Sequence, residues 1–146
     1  MRKLVFCVVP FLAACASFPE LERPGGGRDI ENAEIVAPPP PENARTEEQF
    51  DTTTSEQREA AASSSGGALL GTVTASLGDP AKPGFWVETG LVTEAAQGRV
   101  RYPATGRSVS VELRPLPGGS ARISLAAMRL LDAPLGDLAV VEVYLK

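Results

Sequence analysis

The chain carries no histidine and two cysteines, Cys7 and Cys15. It therefore lacks the side chain most used as a proton carrier near neutral pH. Beyond Cys15 there is no thiol for a disulfide, a zinc site or a nucleophile. An enzyme built on the remainder would have to use carboxylates, hydroxyls, Lys or Tyr. Asp79, Glu88, Glu112, Asp132 and Asp137 supply enough acids for a glycosidase pair, but nothing in their spacing brings two of them across a cleft. Surface solvation is the simpler reading of these acids. The glycines at 25–27 neither follow a strand nor open a helix, so they read as linker and not as a phosphate cradle. No catalytic residue, metal site or cofactor is expected.

Arg99, Arg101, Arg107 and Arg114 form the candidate ligand surface. Arg99 and Arg101 share a strand face by alternation, so a basic stripe could meet phosphate or carboxylate groups in lipid headgroups, in wall polymers or in the acidic segment of this same chain. The plainer account is a solvated face paired with Glu88, Glu94 and Glu112, because surface ion pairs are common and weak. Phe85, Trp86 and Tyr102 could stack on a sugar ring. In a domain with few aromatics, a core role is the stronger expectation.

The elements that must hold these residues divide the chain in two. Between Ala16 and Ser65 eleven acids face four arginines, whereas from Gly66 onward eight bases face seven acids. The first of these segments shows no sustained apolar period. It contains Pro24-Gly25-Gly26-Gly27 and the polyproline run Ala37 to Pro41, and it ends in Ser63-Ser64-Ser65-Gly66-Gly67. Glu42 to Ala62 has moderate helix propensity, but Phe50 is its one large apolar residue, so a helix there has little to bury. Disorder is expected over residues 15–66, since the apolar surface cannot offset the ordering entropy. As a flexible coil such a segment would span roughly 40 Å.

From residue 67 the pattern changes to short alternating runs. Leu69 to Leu77, Phe85 to Thr89, Gly98 to Tyr102 and Arg107 to Arg114 read as strands separated by Gly/Pro turns, with Gly90 to Thr93 a continuation of the second past a bulge. Arg122-Ile123 starts a further strand. Ser124 then reads as the N-cap of a helix over Leu125 to Leu131, which must stop before Pro134. Leu138 to Leu145 closes the chain, and Val140, Val141 and Val143 suggest a strand buried on both faces. The expected fold is mainly β: a small six-stranded barrel-like head over 67–146 with one short helix, preceded by a disordered linker. Closure would compensate for the small size and the lack of disulfides.

The N-terminus resembles a bacterial lipoprotein signal. Met1-Arg2-Lys3 is basic, the apolar run Leu4 to Ala14 is too short to span a bilayer, and Leu12-Ala13-Ala14-Cys15 matches a lipobox. Bulky Phe6 disqualifies Cys7, and small Ala14 precedes Cys15. The resemblance implies a signal peptide over 1–14, cleavage before Cys15 and lipidation of its sulfur. It also implies a membrane anchor in the cell envelope. Ala16, in place of the aspartate that retains such proteins at the inner membrane, implies the outer membrane, facing the periplasm. Ordinary secretion with cleavage near Ala14 or Ala16 is the alternative. Nucleic acid is not an expected partner for an acidic, exported protein.

The run Gly106-Arg107-Ser108-Val109-Ser110-Val111, with Arg122-Ile123-Ser124-Leu125-Ala126-Ala127-Met128-Arg129-Leu130-Leu131, is similar to the double-psi β-barrel of rare-lipoprotein-A-like wall proteins. That similarity covers roughly 98–145 and implies a six-stranded double-psi-like barrel. It departs at the catalytic positions. Glu112-Leu113-Arg114-Pro115 lacks the family's catalytic Asp unless Glu112 takes its role, Ser124 stands in place of a second Asp, and the family's His has no counterpart. The pattern Ser76 to Pro80, Gly84 to Trp86 and Ser124 to Met128 also resembles small alphaproteobacterial lipoproteins that sometimes bear a galactarate-dehydratase label. The size and ligand set that dehydrating a sugar acid would need are missing. The resulting expectation is a non-catalytic head that binds peptidoglycan or an envelope protein, with a wall-glycan-cleaving enzyme as the alternative.

Overall fold

The alternation in Arg107–Pro115 sets the pattern of the barrel: Val109, Val111 and Leu113 are buried, and Ser108, Ser110, Glu112 and Arg114 point the other way. In the computed structural model, which describes residues 37–146, this segment is β4. The other strands are β1 (Ala68–Leu77), β2 (Trp86–Thr89), β3 (Ala96–Tyr102), β5 (Ala121–Ile123) and β6 (Ala139–Leu145). The six close into a barrel in the order β1-β5-β2-β4-β3-β6. Two of the pairings, β1 with β5 and β2 with β4, are parallel and require crossovers; the other four are antiparallel. The expected mainly-β, six-stranded barrel is therefore the fold of this chain. Closure leaves no sheet edge exposed, which suits a domain this small. Among the described residues no helix is long and apolar enough to cross a membrane.

Inward-pointing Val100, Val109, Val111, Leu113, Val141 and Val143 fill the barrel with β-branched and leucine side chains. The helix expected over Leu125 to Leu131 is present as α3 (Leu125–Leu131) and is capped by Ser124. The Ser124 hydroxyl accepts from the Ala127 amide at 3.3 Å and from the Trp86 amide at 3.2 Å, so one buried side chain joins helix start to β2. Leu125, Met128 and Leu131 close one end of the core. Asp132 ends the helix in the left-handed conformation, two residues before Pro134.

Three details differ from the sequence reading. β6 is buried on one face only, because Val140 is 53% exposed while Val141 and Val143 are fully covered; both neighbours of β6 lie within the barrel wall. β2 stops at Thr89, and residues 90–93 form turn instead of a continued strand. The third difference is the stretch 37–66, read as the end of the linker. It carries α1 (Glu47–Phe50) and α2 (Ser55–Ala62), each opened by a capping box, Thr46 with Gln49 and Thr54 with Gln57. The segment buries small or polar groups in place of large apolar ones. Ala61 is fully covered and joins the barrel core, Thr53 is 5% exposed, and the Thr52 hydroxyl donates to the Pro38 carbonyl. Asp51 accepts from Arg129 of α3 at 3.0 Å, and Arg58 donates to the Thr53 carbonyl at 2.7 Å. Polar anchoring thus holds a segment whose apolar content alone could not. The signal segment, Leu12-Ala13-Ala14-Cys15 and the linker before residue 37 lie outside the described residues.

Candidate functional site

Register on the outside of the barrel decides which of the four candidate arginines meet. Arg99 and Arg101 project from β3. Arg99 lies opposite Ser110 of β4 on one side and Tyr144 of β6 on the other; Arg101 lies opposite Ser108 and Glu142. Arg114 sits four residues beyond Ser110, roughly 13 Å along the strand, and opposite Glu88 of β2. Arg107 is on the opposite alternation, at the end of the barrel, where it donates to the Leu130 carbonyl at the close of α3 (3.5 Å). The structure brings Arg99 and Arg101 together and separates them from Arg107 and Arg114.

The pairing expected for this surface occurs in part. Arg114 donates twice to one Glu112 oxygen, at 3.0 and 2.6 Å. Glu88 is held by Lys82 at 3.1 Å and by Arg122 at 3.8 Å, not by the candidate arginines. Glu94 has no ion pair among the described residues. Arg101 instead binds Glu142 at 3.1 Å, and the Tyr144 hydroxyl donates to the same carboxylate at 2.8 Å. Those two contacts, the tyrosine hydroxyl first, hold the Glu142 carboxyl below its ordinary pKa of 4.5. Glu48 and Glu56, in the first turns of α1 and α2, are lowered by backbone amides and then by the hydroxyls of Thr46 and Thr54.

Arg99 is different. Its guanidinium stacks on the Tyr144 ring at 3.9 Å from the centroid. Nε donates to the Gly66 carbonyl at 2.9 Å and Nη1 to the Ser108 hydroxyl at 2.9 Å. No carboxylate lies within 4.0 Å of it among the described residues. Next to it, Lys146 Nζ donates to the Ser110 hydroxyl at 3.1 Å, again without an acid. The sequence reading missed Ser108, Ser110, Tyr144 and Lys146. Alternation places Tyr144 beside Glu142 on the outer face of β6, but the pairing of β6 with β3 is a long-range fact that alternation does not reveal.

The aromatic platform does not form. Trp86 is 1% exposed and Phe85 7%, and Tyr102 is half-buried against the core. Trp86 lies on the outer wall under the turn that follows β1. A Cβ on Gly78 would sit 2.3 Å from its Cη2 atom, so only glycine lets the turn close over the ring. The indole nitrogen donates to the Lys82 carbonyl at 3.2 Å, while Lys82 and Arg114 each stand 5.6 Å from the ring centroid. The positions that the wall-enzyme resemblance would make catalytic have other work. Glu112 is tied to Arg114, and Ser124 caps α3. A shallow groove of about 160 Å³ runs between Asp51, Arg58, Ala126, Arg129 and Leu130, where its acid is already paired. Among the described residues no group of three His, Cys, Asp or Glu side chains is close enough to hold a metal ion. No protein-family model matches the chain, and neither does any curated protein or solved structure.

Proposed function

We propose that this chain is a lipid-anchored cell-envelope protein whose barrel binds an envelope component, a protein or the cell-wall glycan, without cleaving it. The observation that carries the anchor is Leu12-Ala13-Ala14-Cys15 behind a basic start and a short apolar run. Acyl chains on the Cys15 sulfur hold the protein at the outer membrane, facing the periplasm, as Ala16 indicates. Binding in place of cleavage is favoured by what the outer wall presents. The acid nearest the resembled catalytic position is held by an arginine at 2.6 Å, while Arg99 and Lys146 face outward with no acidic side chain paired to them among the described residues.

The test uses the full lipidated chain, purified in detergent and incubated with wall sacculi. Co-sedimentation without soluble fragments is the expected result, and crosslinking in cells would capture a protein partner instead. Released muropeptides would point to the glycan-cleaving alternative. Absence of both sedimentation and crosslinks would defeat the binding reading.

A further inference from the structure

The outer wall carries one row that crosses four strands: Ser110 of β4, Arg99 of β3, Tyr144 of β6 and Leu69 of β1, each opposite the next in register. Lys146 and Ser108 flank it through their contacts with Ser110 and Arg99. Both serine hydroxyls accept from a cation. Each has a single O–H, and that proton must point away from the cation that donates to its oxygen. The two hydroxyl protons, the free Arg99 Nη2 and the ammonium of Lys146 form an array of donors with no acceptor assigned among the described residues. Glu142, the acidic side chain nearby among the described residues, is occupied by Arg101 and the Tyr144 hydroxyl. The side chains of Arg99, Arg101 and Lys146 against Glu142 give an excess of +2, which the α-carboxylate of Lys146 in the chain ending there lowers to +1.

An array of donors with net positive charge calls for an oxyanion with several oxygens. Stacking on Tyr144 and the bond to Gly66 fix the guanidinium before any ligand arrives, which reduces the entropy lost on binding. Leu69, at the end of the row, is 57% exposed beside Tyr144. Cations and hydroxyls next to an amphipathic tyrosine and an exposed leucine match the layering of a bilayer surface, with phosphate outside and hydrocarbon beneath.

We propose that this row is a phosphate-binding face that docks the barrel onto the headgroups of an anionic phospholipid membrane. This contact is separate from the thioether anchor, and it assigns an occupant to the outward cations on which the envelope-binding reading also draws.

The experiment uses the chain from Ala16 to Lys146, which lacks Cys15 and keeps every described residue. It measures co-sedimentation with vesicles of phosphatidylglycerol and phosphatidylcholine, or of phosphatidylcholine alone. The expected result is capture by the anionic vesicles, weakened by salt and reduced roughly tenfold in R99Q/K146Q. The charge-matched control K82Q/R122Q, on the far wall, should bind like the parent. Lys146→Gln alone, at an exposed position past β6, should give a smaller loss in the same direction and keeps the test valid if the Arg99 change disturbs the fold. Equal capture by both vesicle types, or equal loss in the two double variants, would overturn the proposal. So would binding of millimolar inorganic phosphate, read by calorimetry, with no vesicle capture, which would mark a free-anion site. Retention on wall sacculi without vesicle capture would overturn it as well while leaving the envelope-binding reading intact.

Discussion

The two sides of the barrel wall carry similar numbers of charges and use them in opposite ways. On the wall formed by β5, β2 and the far end of β4, every cation near an acid is matched: Lys82 and Arg122 to Glu88, and Arg114 to Glu112. Trp86 is sealed beneath a turn between them. On the wall formed by β6, β3 and the near end of β4, Arg101 alone pairs with an acidic side chain among the described residues, and Arg99 and Lys146 rest on hydroxyls. Counting charges along the sequence cannot separate these walls. The register of the strands does, because it places Glu88 beside Arg122 and Arg114, and serines beside Arg99 and Arg101. On one wall each of these cations is ion-paired, and on the other Arg99 and Lys146 rest on hydroxyls in place of carboxylates.

The sharpest way to break that contrast is to damage each wall in turn. Trp86→Ala on the sealed wall removes a buried indole and should cost about 3–5 kcal/mol of stability, read by denaturant or thermal unfolding. A loss below about 1 kcal/mol would mean that the ring is not the packing element described. On the open wall, Arg99→Glu with Arg101→Glu should weaken capture of an anionic partner at least tenfold while unfolding stays within about 1 kcal/mol of the parent. Unchanged capture would discard that surface.

A smaller effect is expected where the segment 37–66 meets α3. Asp51 has a side chain only 3% exposed, against 33% for Arg129. Asp51→Ala should therefore cost about 1–2 kcal/mol and speed hydrogen exchange in α1 and α2 without changing exchange in β4. Uniform acceleration across the barrel would show that the segment and the barrel unfold together.

The smallest effect concerns pH. The Glu142 carboxyl is held below its ordinary 4.5, first by the Tyr144 hydroxyl and then by Arg101. A lowered acid pKa contributes stability that is present above the unfolded value and fades as pH falls through the folded value. Tyr144→Phe removes the larger cause, so the Glu142 carboxyl resonance should titrate closer to 4.5 in the variant. An unaltered titration would show that the tyrosine hydroxyl does not set it.

Much of the barrel was legible because its determinants are local. The alternation of Val109, Val111 and Leu113 with serines and Glu112 marks β4, and Ser124 followed by an apolar turn marks α3. The helices at 47–50 and 55–62 are not expected from apolar pattern, although their Thr-x-x-Gln boxes stand in the sequence. Their segment buries Ala61 and, between the helices, Thr53, and it relies on an ion pair 78 residues away, Asp51 with Arg129. A periodicity search for large apolar residues is blind to that kind of anchoring. The candidate face was half legible for the same reason. Alternation joins Arg99 to Arg101, but only strand pairing brings Tyr144, Ser110 and Lys146 to them and carries Arg107 and Arg114 away.

The most direct measurement on the account as a whole is intact-mass spectrometry of the mature protein from native membranes. The expected result is a chain that begins at Cys15 and carries the added mass of acyl chains, with Cys15→Ser accumulating as an uncleaved, unacylated precursor. A mature chain that begins at Ala16, or at Cys15 with a free thiol, would contradict it.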